Sequence, residues 1–318
     1  MIHANPSGAG PSDVGHGLRR RGLLFGLAGG AAALLLPATA VAQESAGRHG
    51  HQAGTVVGAV AAPDGLTLSA DAVPAGVVTL RATTPDPAQQ HPLGLVRLLP
   101  GVSLDSFLTH YRQAATAKDP VERRAGLELI DSEARYFGGP AVTAAGGAVE
   151  VTWVLAPGTY HLLDYTTVDP AHPERVRTLK VTGTRPQGRP PLAPHVITPY
   201  DDGDQGRYLT AGTLPAAGVF QVVNHTAQLN EVMFLRTVAG ATEADVTACM
   251  EALRRGENPP VYPFTGVPTG LTPLQPGSSA VFAHSLQPGR YLLTSFISNR
   301  QTLVKRAFEG MWQLVTLR

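Results

Sequence analysis

The sequence predicts an all-β protein: two Greek-key β-sandwiches in tandem, with a short helix inserted in each domain. Three observations predict it. One phrase occurs twice, as Ala156-Pro157-Gly158-Thr159-Tyr160-His161-Leu162-Leu163-Asp164-Tyr165 and as Gln287-Pro288-Gly289-Arg290-Tyr291-Leu292-Leu293-Thr294-Ser295-Phe296. Matched features recur in one order: Pro74 and Pro215, Ser103 and Thr242, and Pro157 and Pro288 lie 141, 139 and 131 residues apart. Single short matches arise by chance, but an ordered series points to duplication. Finally, 35 glycines and 27 prolines with only 15% charged residues suit short strands and tight turns better than long surface helices.

Each element has its own signal. Leu66-Thr67-Leu68 and Val77-Val78-Thr79-Leu80-Arg81 flank Val73-Pro74-Ala75-Gly76, a turn with Pro and Gly at suitable places. Leu95-Val96-Arg97-Leu98 is a third strand. Ser103 is an N-cap candidate, with Asp105 in the first turn and Leu104, Phe107, Leu108 and Tyr111 at helical spacing. A variable charged segment spans Lys118 to Arg135. Val149, Val151, Trp153 and Leu155 alternate with Glu150 and Thr152, as in a half-buried strand. Thr159 to Tyr165 and Arg177 to Thr182 complete the first copy. Gly183, Pro186, Gly188, Pro190, Pro191 and Pro194 mark a linker.

The pattern then restarts. Leu214-Pro215-Ala216-Ala217-Gly218-Val219-Phe220 echoes the first turn, and Val232 to Arg236 echoes the Leu95 strand. Thr242-Glu243-Ala244-Asp245 opens a helix with a capping box, with Val246, Cys249, Met250 and Leu253 on one face. Val281 to Leu286 echoes the Trp153 strand, and Met311 to Leu317 closes the copy. The expected organisation is a signal over 1–42, a flexible lead-in over 43–62, domain 1 over 63–183, a linker over 184–194 and domain 2 over 195–318.

The N-terminus reads as an address. Arg19-Arg20-Arg21-Gly22-Leu23-Leu24 precedes an apolar run to Leu36, and Ala40-Val41-Ala42 supplies a small-residue cleavage site. The run of about 15 residues is short for a membrane span, which needs about 20. The paired arginines, spacer and leucines resemble a twin-arginine signal. The expectation is export to the periplasm or beyond, with no membrane span after cleavage. A formal net charge of +1 offers no footprint for nucleic acid or anionic membranes. The single cysteine, Cys249, allows no internal disulfide and no Cys-rich zinc site.

At the Pro-Ala-Gly turn, the Leu-Val-Arg-Leu strand and the Pro-Gly-x-Tyr-x-Leu-Leu strand, both copies resemble the cupredoxin (plastocyanin-like) family. The resemblance implies a cupredoxin fold. In that family a His precedes the first of these strands, and His91 matches it; Leu229-Asn230-Glu231 occupies the equivalent stretch of the second copy. The family's thiolate ligand follows Tyr-x-Leu-Leu, where this chain has Asp164 and Ser295. A second His and a Met follow in the family; His172 lies near the expected His in the first copy, and Met311 resembles the Met in the second. Neither copy keeps the set. Type 1 copper needs His₂Cys with a weak axial ligand, and neither carboxylate nor hydroxyl replaces the thiolate.

Other chemistry finds little support. His91, Asp164 and His172 together would offer Cu(II) or Zn(II) a nitrogen/oxygen site, but the favoured reading is two loop histidines and an aspartate that caps or hydrogen-bonds at a strand end. His49 and His51 lie in a polar tail, and Tyr200-Asp201-Asp202-Gly203-Asp204 lacks the twelve-residue calcium-loop pattern. No G-x-S-x-G elbow or phosphate loop is present. Cys249, beside Met250 on an apolar helix face, reads as a structural thiol, and Trp153 and Trp312 as core. The expected function is a non-enzymatic binding or scaffolding protein of the periplasm or cell envelope, without type 1 copper and with no cofactor. Its partner is an envelope protein or small ligand. The alternative is a copper- or zinc-binding metalloprotein, a chaperone or redox component, with its site at His91, Asp164 and His172.

Overall fold

Alternating apolar and polar residues build most of this protein from strands. In a computed structural model that describes residues 54–318, the first half contains β1 (Thr55–Ala62), β2 (Gly65–Leu68), β3 (Ala72–Pro74), β4 (Gly76–Thr83) and β5 (His91–Leu98). It continues through α1 (Leu104–Thr116), α2 (Pro120–Glu133), β6 (Ala134–Tyr136), β7 (Pro140–Val142), β8 (Val149–Leu155), β9 (Gly158–Asp164) and β10 (Val176–Thr182). The second half contains β11 (His195–Asp202), β12 (Gln205–Thr210), β13 (Ala217–Val223), β14 (Asn230–Arg236) and α3 (Glu243–Arg255). It ends with β15 (Thr269–Leu274), β16 (Ser279–Ser285), β17 (Gly289–Thr294) and β18 (Trp312–Leu317).

Two sheets face each other. One has the order β12-β11-β13-β16-β8-β4-β1-β2; the other runs β18-β17-β14-β15-β7-β5-β9-β10-β3, with β6 beside β5. Each sheet continues through both halves, joined by the antiparallel pairs β8–β16 and β7–β15. The pairings of the second half repeat those of the first. β1 is antiparallel to β2 and parallel to β4, as β11 is to β12 and β13. β9 lies between β5 and β10, as β17 lies between β14 and β18.

The core follows from the strand period. In β4, Val78, Leu80 and Ala82 are buried while Arg81 and Thr83 are exposed. These side chains meet Leu93, Leu95 and Leu162 of the opposing sheet in one apolar cluster that also takes in Phe220, Phe234 and Phe282 of the second half. The helices cover the outer face. Ser103 caps α1 through an N–H from Ser106 at 3.1 Å, and α1 buries Phe107 and Leu108 with Val96 and Leu163. The Thr242–Asp245 capping box starts α3, which buries Val246, Cys249 and Met250 against Leu235 and Leu292. Burial pushes the Cys249 thiol up to about 11, out of the thiolate range at neutral pH. Trp153 is buried and donates its indole N–H to the Phe137 carbonyl at 2.7 Å.

Two expectations need correction. The lead-in expected over 43–62 is not flexible at its C-terminal end: β1 occupies Thr55–Ala62, with Val57, Ala59 and Ala61 buried beside β4. Small side chains concealed a strand whose alternation is regular. The first half also carries two helices rather than one. Asp119 accepts the Val121 N–H at 2.7 Å and Pro120 opens α2, so the charged segment begins with a strong helix start. The signal and the remainder of the lead-in lie outside the described residues. Among the described residues no helix is long and apolar enough to cross a membrane.

Candidate functional site: a buried ion cluster at the end of the first sandwich

His91 opens β5 and Asp164 closes the neighbouring β9, where Leu93 pairs with Asp164. The strand pairing therefore brings both polar side chains to one end of the sandwich, and both residues are fully buried. His91 Nδ1 lies 2.8 Å from Asp164 Oδ2, and His91 Nε2 lies 3.3 Å from Asp86 Oδ2. Arg175 Nη1 donates to the same Asp164 oxygen at 3.0 Å, and the Thr166 N–H donates to its other oxygen at 3.0 Å. Arg175 also donates to the Ala62 and Pro63 carbonyls, which fixes its guanidinium over the β1–β2 turn.

When His91 is protonated the cluster balances its own charge: two carboxylates face an imidazolium and a guanidinium. Burial works against a charged His91. The hydrogen bond and charge of Asp164, and then those of Asp86, outweigh it and hold the imidazolium above the usual histidine range. Burial likewise pushes Asp164 up, but hydrogen bonds from His91 and Thr166 and the His91 charge hold its carboxyl below the usual range.

His172 is not part of this cluster. It stands before a short 3₁₀ turn (Pro173–Arg175), its Nδ1 lies 2.9 Å from Glu174, and about half of its side chain is exposed. The expected convergence of His91, Asp164 and His172 is therefore not seen. Instead, Asp86 and Arg175 complete the cluster, and neither was singled out from the sequence. Among the described residues, no three His, Cys, Asp or Glu side chains are placed to share a metal ion.

Strand register explains Arg175. Val176 pairs with Leu163 and Trp312 pairs with Thr294, and Leu163 and Thr294 are equivalent positions of the repeated phrase. The residue before each last strand is then Arg175 in the first half and Met311 in the second. Similarly, Leu95 faces Leu162 as Phe234 faces Leu293, which sets Asn230 at the place of His91 and Ser295 at that of Asp164. Met311 is fully buried, and its sulfur accepts an N–H from Asn230 at 3.4 Å. Gly206 packs closely there: a Cβ at this position would press on Met311 Sδ and Arg306 Nη2, which would have to shift. Nearby, Arg306 is buried and ion-paired with Asp201.

No protein-family model and no curated protein matches the chain. Among solved structures, it is similar to auracyanin A, a blue copper protein of Chloroflexus aurantiacus, with 20% identity and a TM-score of 0.27 over 41% of this chain and 100% of that one. The copper nitrite reductase of Nitrosomonas europaea matches at 9% identity and a TM-score of 0.22, over 84% of this chain and 94% of that one. A multicopper oxidase matches at 12% identity and a TM-score of 0.20, over 83% and 88%. The copper and the enzymatic activities belong to those proteins.

The residues of this chain do not fit a type 1 copper ion. Such a site asks for two free imidazole nitrogens and a thiolate. Both ring nitrogens of His91 face carboxylates, the oxygens of Asp164 face His91, Arg175 and Thr166, and the one cysteine lies buried in α3.

Proposed function

We propose that this chain is an exported, non-enzymatic binding or scaffolding protein of the bacterial periplasm or cell envelope, built from two cupredoxin-like sandwiches in tandem and without type 1 copper. The observation that carries the proposal is the ion pair of Arg175 with Asp164, 3.0 Å apart. A fixed protein cation stands against the side chain that replaces the family's thiolate. In that position a metal would have to displace a largely buried guanidinium and take away its carboxylate partner, which costs several kcal/mol. The first half thus keeps its strand ends together with protein charges alone. The repeated pairings of the two halves support a division into two units with a linker over 184–194 and the second unit over 195–318; because β1 answers β11, they favour a first unit that starts at β1 rather than at 63. The reading of 1–42 as the export signal rests on its sequence alone.

The test is direct. Purified protein is incubated with Cu(II) and with Zn(II), passed through a desalting column, and examined by absorption spectroscopy and elemental analysis, with His91→Ala as control. The expected result is no blue band and no stoichiometric metal. A stoichiometric ion that is lost in His91→Ala would overturn the proposal in favour of a metalloprotein with its site at His91 and Asp164.

A further inference from the structure

Between the two halves lies a second, chemically distinct place. A half-open cavity of about 390 Å³ is bounded by α1, α2 and the end of β9 on one side and by β14 and the segment after β17 on the other. That volume is in the range of small-molecule sites, which run from about 300 to 1,000 Å³. Its walls are largely aromatic and aliphatic. Tyr111 and Tyr165 stack at 5.3 Å with an interplanar angle of 7°, and Leu127, Met233 and Phe296 add apolar surface.

Three charged residues line this cavity: Arg123, Glu231 and Lys305. Arg123 is tethered by one guanidinium nitrogen to Ser298 Oγ at 2.8 Å, while its buried Nε has no hydrogen-bond partner. The Tyr165 hydroxyl is also buried without a partner. Lys305 is exposed as a residue, but its ammonium group rests over the Phe296 ring, 5.6 Å from the centroid. Desolvation, and then the charge of Arg123, draw that ammonium below the usual lysine range, against the pull of Glu231. Glu231 sits on a β-bulge between β14 and β15, where Asn230 faces Leu274 but Val232 faces Leu271. Bulges of this kind re-aim a side chain, often beside a site.

We propose that the inter-half cavity binds an organic carboxylate with a ring-sized apolar body. The lining holds two cations and one carboxylate, so it is positive whichever state Glu231 adopts. Arg123 and Lys305 supply the positive charge, and the Tyr111–Tyr165 stack offers a flat apolar wall. An oxyanion pairs with the two cations, and the body of the ligand covers the rings. The proposal rests on reading the protein as a binding module.

Glu231 makes the binding depend on pH. Burial raises its carboxyl to about 7, with the Phe296 N–H and the Lys305 charge acting in the opposite direction. The groups that face it are Tyr111 of α1, Tyr165 after β9, Tyr208 of β12 and Lys305; Arg123 of α2 acts on Lys305. Below that pH Glu231 is neutral, repels no anion and can donate a hydrogen bond to it. Above it, the carboxylate opposes the ligand.

The experiment is calorimetric titration of the purified full chain with 2-naphthoate at pH 6 and pH 8, beside the neutral 2-naphthalenemethanol and the cationic 2-naphthylmethylamine. Saturable 1:1 binding of naphthoate is expected, roughly tenfold tighter at pH 6 and roughly ten- to a hundredfold tighter than the alcohol. Arg123→Gln and Lys305→Gln, each checked for an unchanged melting temperature, should each weaken it by about tenfold or more. Glu231→Gln should remove the pH dependence and leave tight binding at both pH values. Equal binding of naphthoate and the alcohol, preference for the amine, or no saturable binding at pH 6 would each overturn the carboxylate proposal. Any of these in a protein that also takes up no copper would leave the copper-free reading standing.

Discussion

Asp164→Asn is the most informative perturbation of the buried cluster. The carboxylate is fully buried and accepts from His91, Arg175 and Thr166 at 2.8, 3.0 and 3.0 Å. An asparagine keeps the volume but removes the charge that two cations share. His91 can shed its proton and retain Asp86 at 3.3 Å. Arg175 cannot shed its charge, and its side chain is only 12% exposed. Removing one partner of a buried pair costs about 3–5 kcal/mol. At about 2–4 °C per kcal/mol for a chain of this size, the melting temperature falls by roughly 10 °C.

The assay is thermal and urea unfolding at pH 6, read by circular dichroism. Arg175→Met, which copies the residue at the equivalent position of the second half, and the double variant complete a thermodynamic cycle. If the cost of Asp164→Asn is an orphaned guanidinium, removing Arg175 as well relieves it, and the double variant is more stable than the sum of the singles by about 2–3 kcal/mol. A loss under about 1 kcal/mol for Asp164→Asn, or strict additivity, would refute the idea that Arg175 and Asp164 hold this end of the sandwich together. The pH dependence has a definite sign. The His91 contribution is fully present below the unfolded histidine value of about 6.5 and is lost as pH rises through its raised folded value. The Asp164 contribution is present above the unfolded carboxylate value and is lost as pH falls through its lowered folded value. The cluster therefore stabilises most between those limits.

Two further outcomes follow from single residues. His284 is 5% exposed, stacks on Phe220 at 4.8 Å, and is held neutral by burial down to about 4, so the unfolded chain takes up its proton first as pH falls from about 6.5. Stability should fall over that window by about 3 kcal/mol, and pH-dependent urea unfolding should show this component missing in His284→Phe; an unchanged slope would exclude His284 as its source. Gly94→Ala places a Cβ in the Tyr165 ring, so it should cost about 1–3 kcal/mol and displace the Tyr111–Tyr165 wall. Unfolding reads the first effect and naphthoate titration the second, and tight naphthoate binding by Gly94→Ala would deny that wall a part in the site.

How much of this was legible in the sequence depends on what kind of information each feature needs. His91 and Asp164 were readable because they sit at the ends of strands with a strong local pattern. Arg175 was not, because its role depends on register rather than count. Eleven residues separate Asp164 from Arg175, whereas sixteen separate Ser295 from Met311. Counting along the first connection led to His172, which faces Glu174 in the loop; only the pairing of Val176 with Leu163 shows that Arg175 occupies the place of Met311. Asp86 lies outside every periodic segment, in the loop between β4 and β5. β1 was hidden by its alanines and glycine, whose alternation carries little hydrophobic contrast.

Glu231 shows the same limit in a sharper form. Its neighbours Val232 to Leu235 read as an ordinary strand, and nothing local distinguishes a glutamate at a strand edge from one at a bulge. The bulge arises only from the pairing of β14 with β15. Once there, the side chain is enclosed by groups from α1, from β12 and from the segment after β17, far apart in sequence. Both polar centres of the molecule are therefore products of topology. One closes the end of the first sandwich, where Asp164 is paired with both His91 and Arg175. The other sets two cations against a single carboxylate around an apolar cavity, and that surplus of positive charge is why the proposed ligand site lies between the halves rather than at the strand ends.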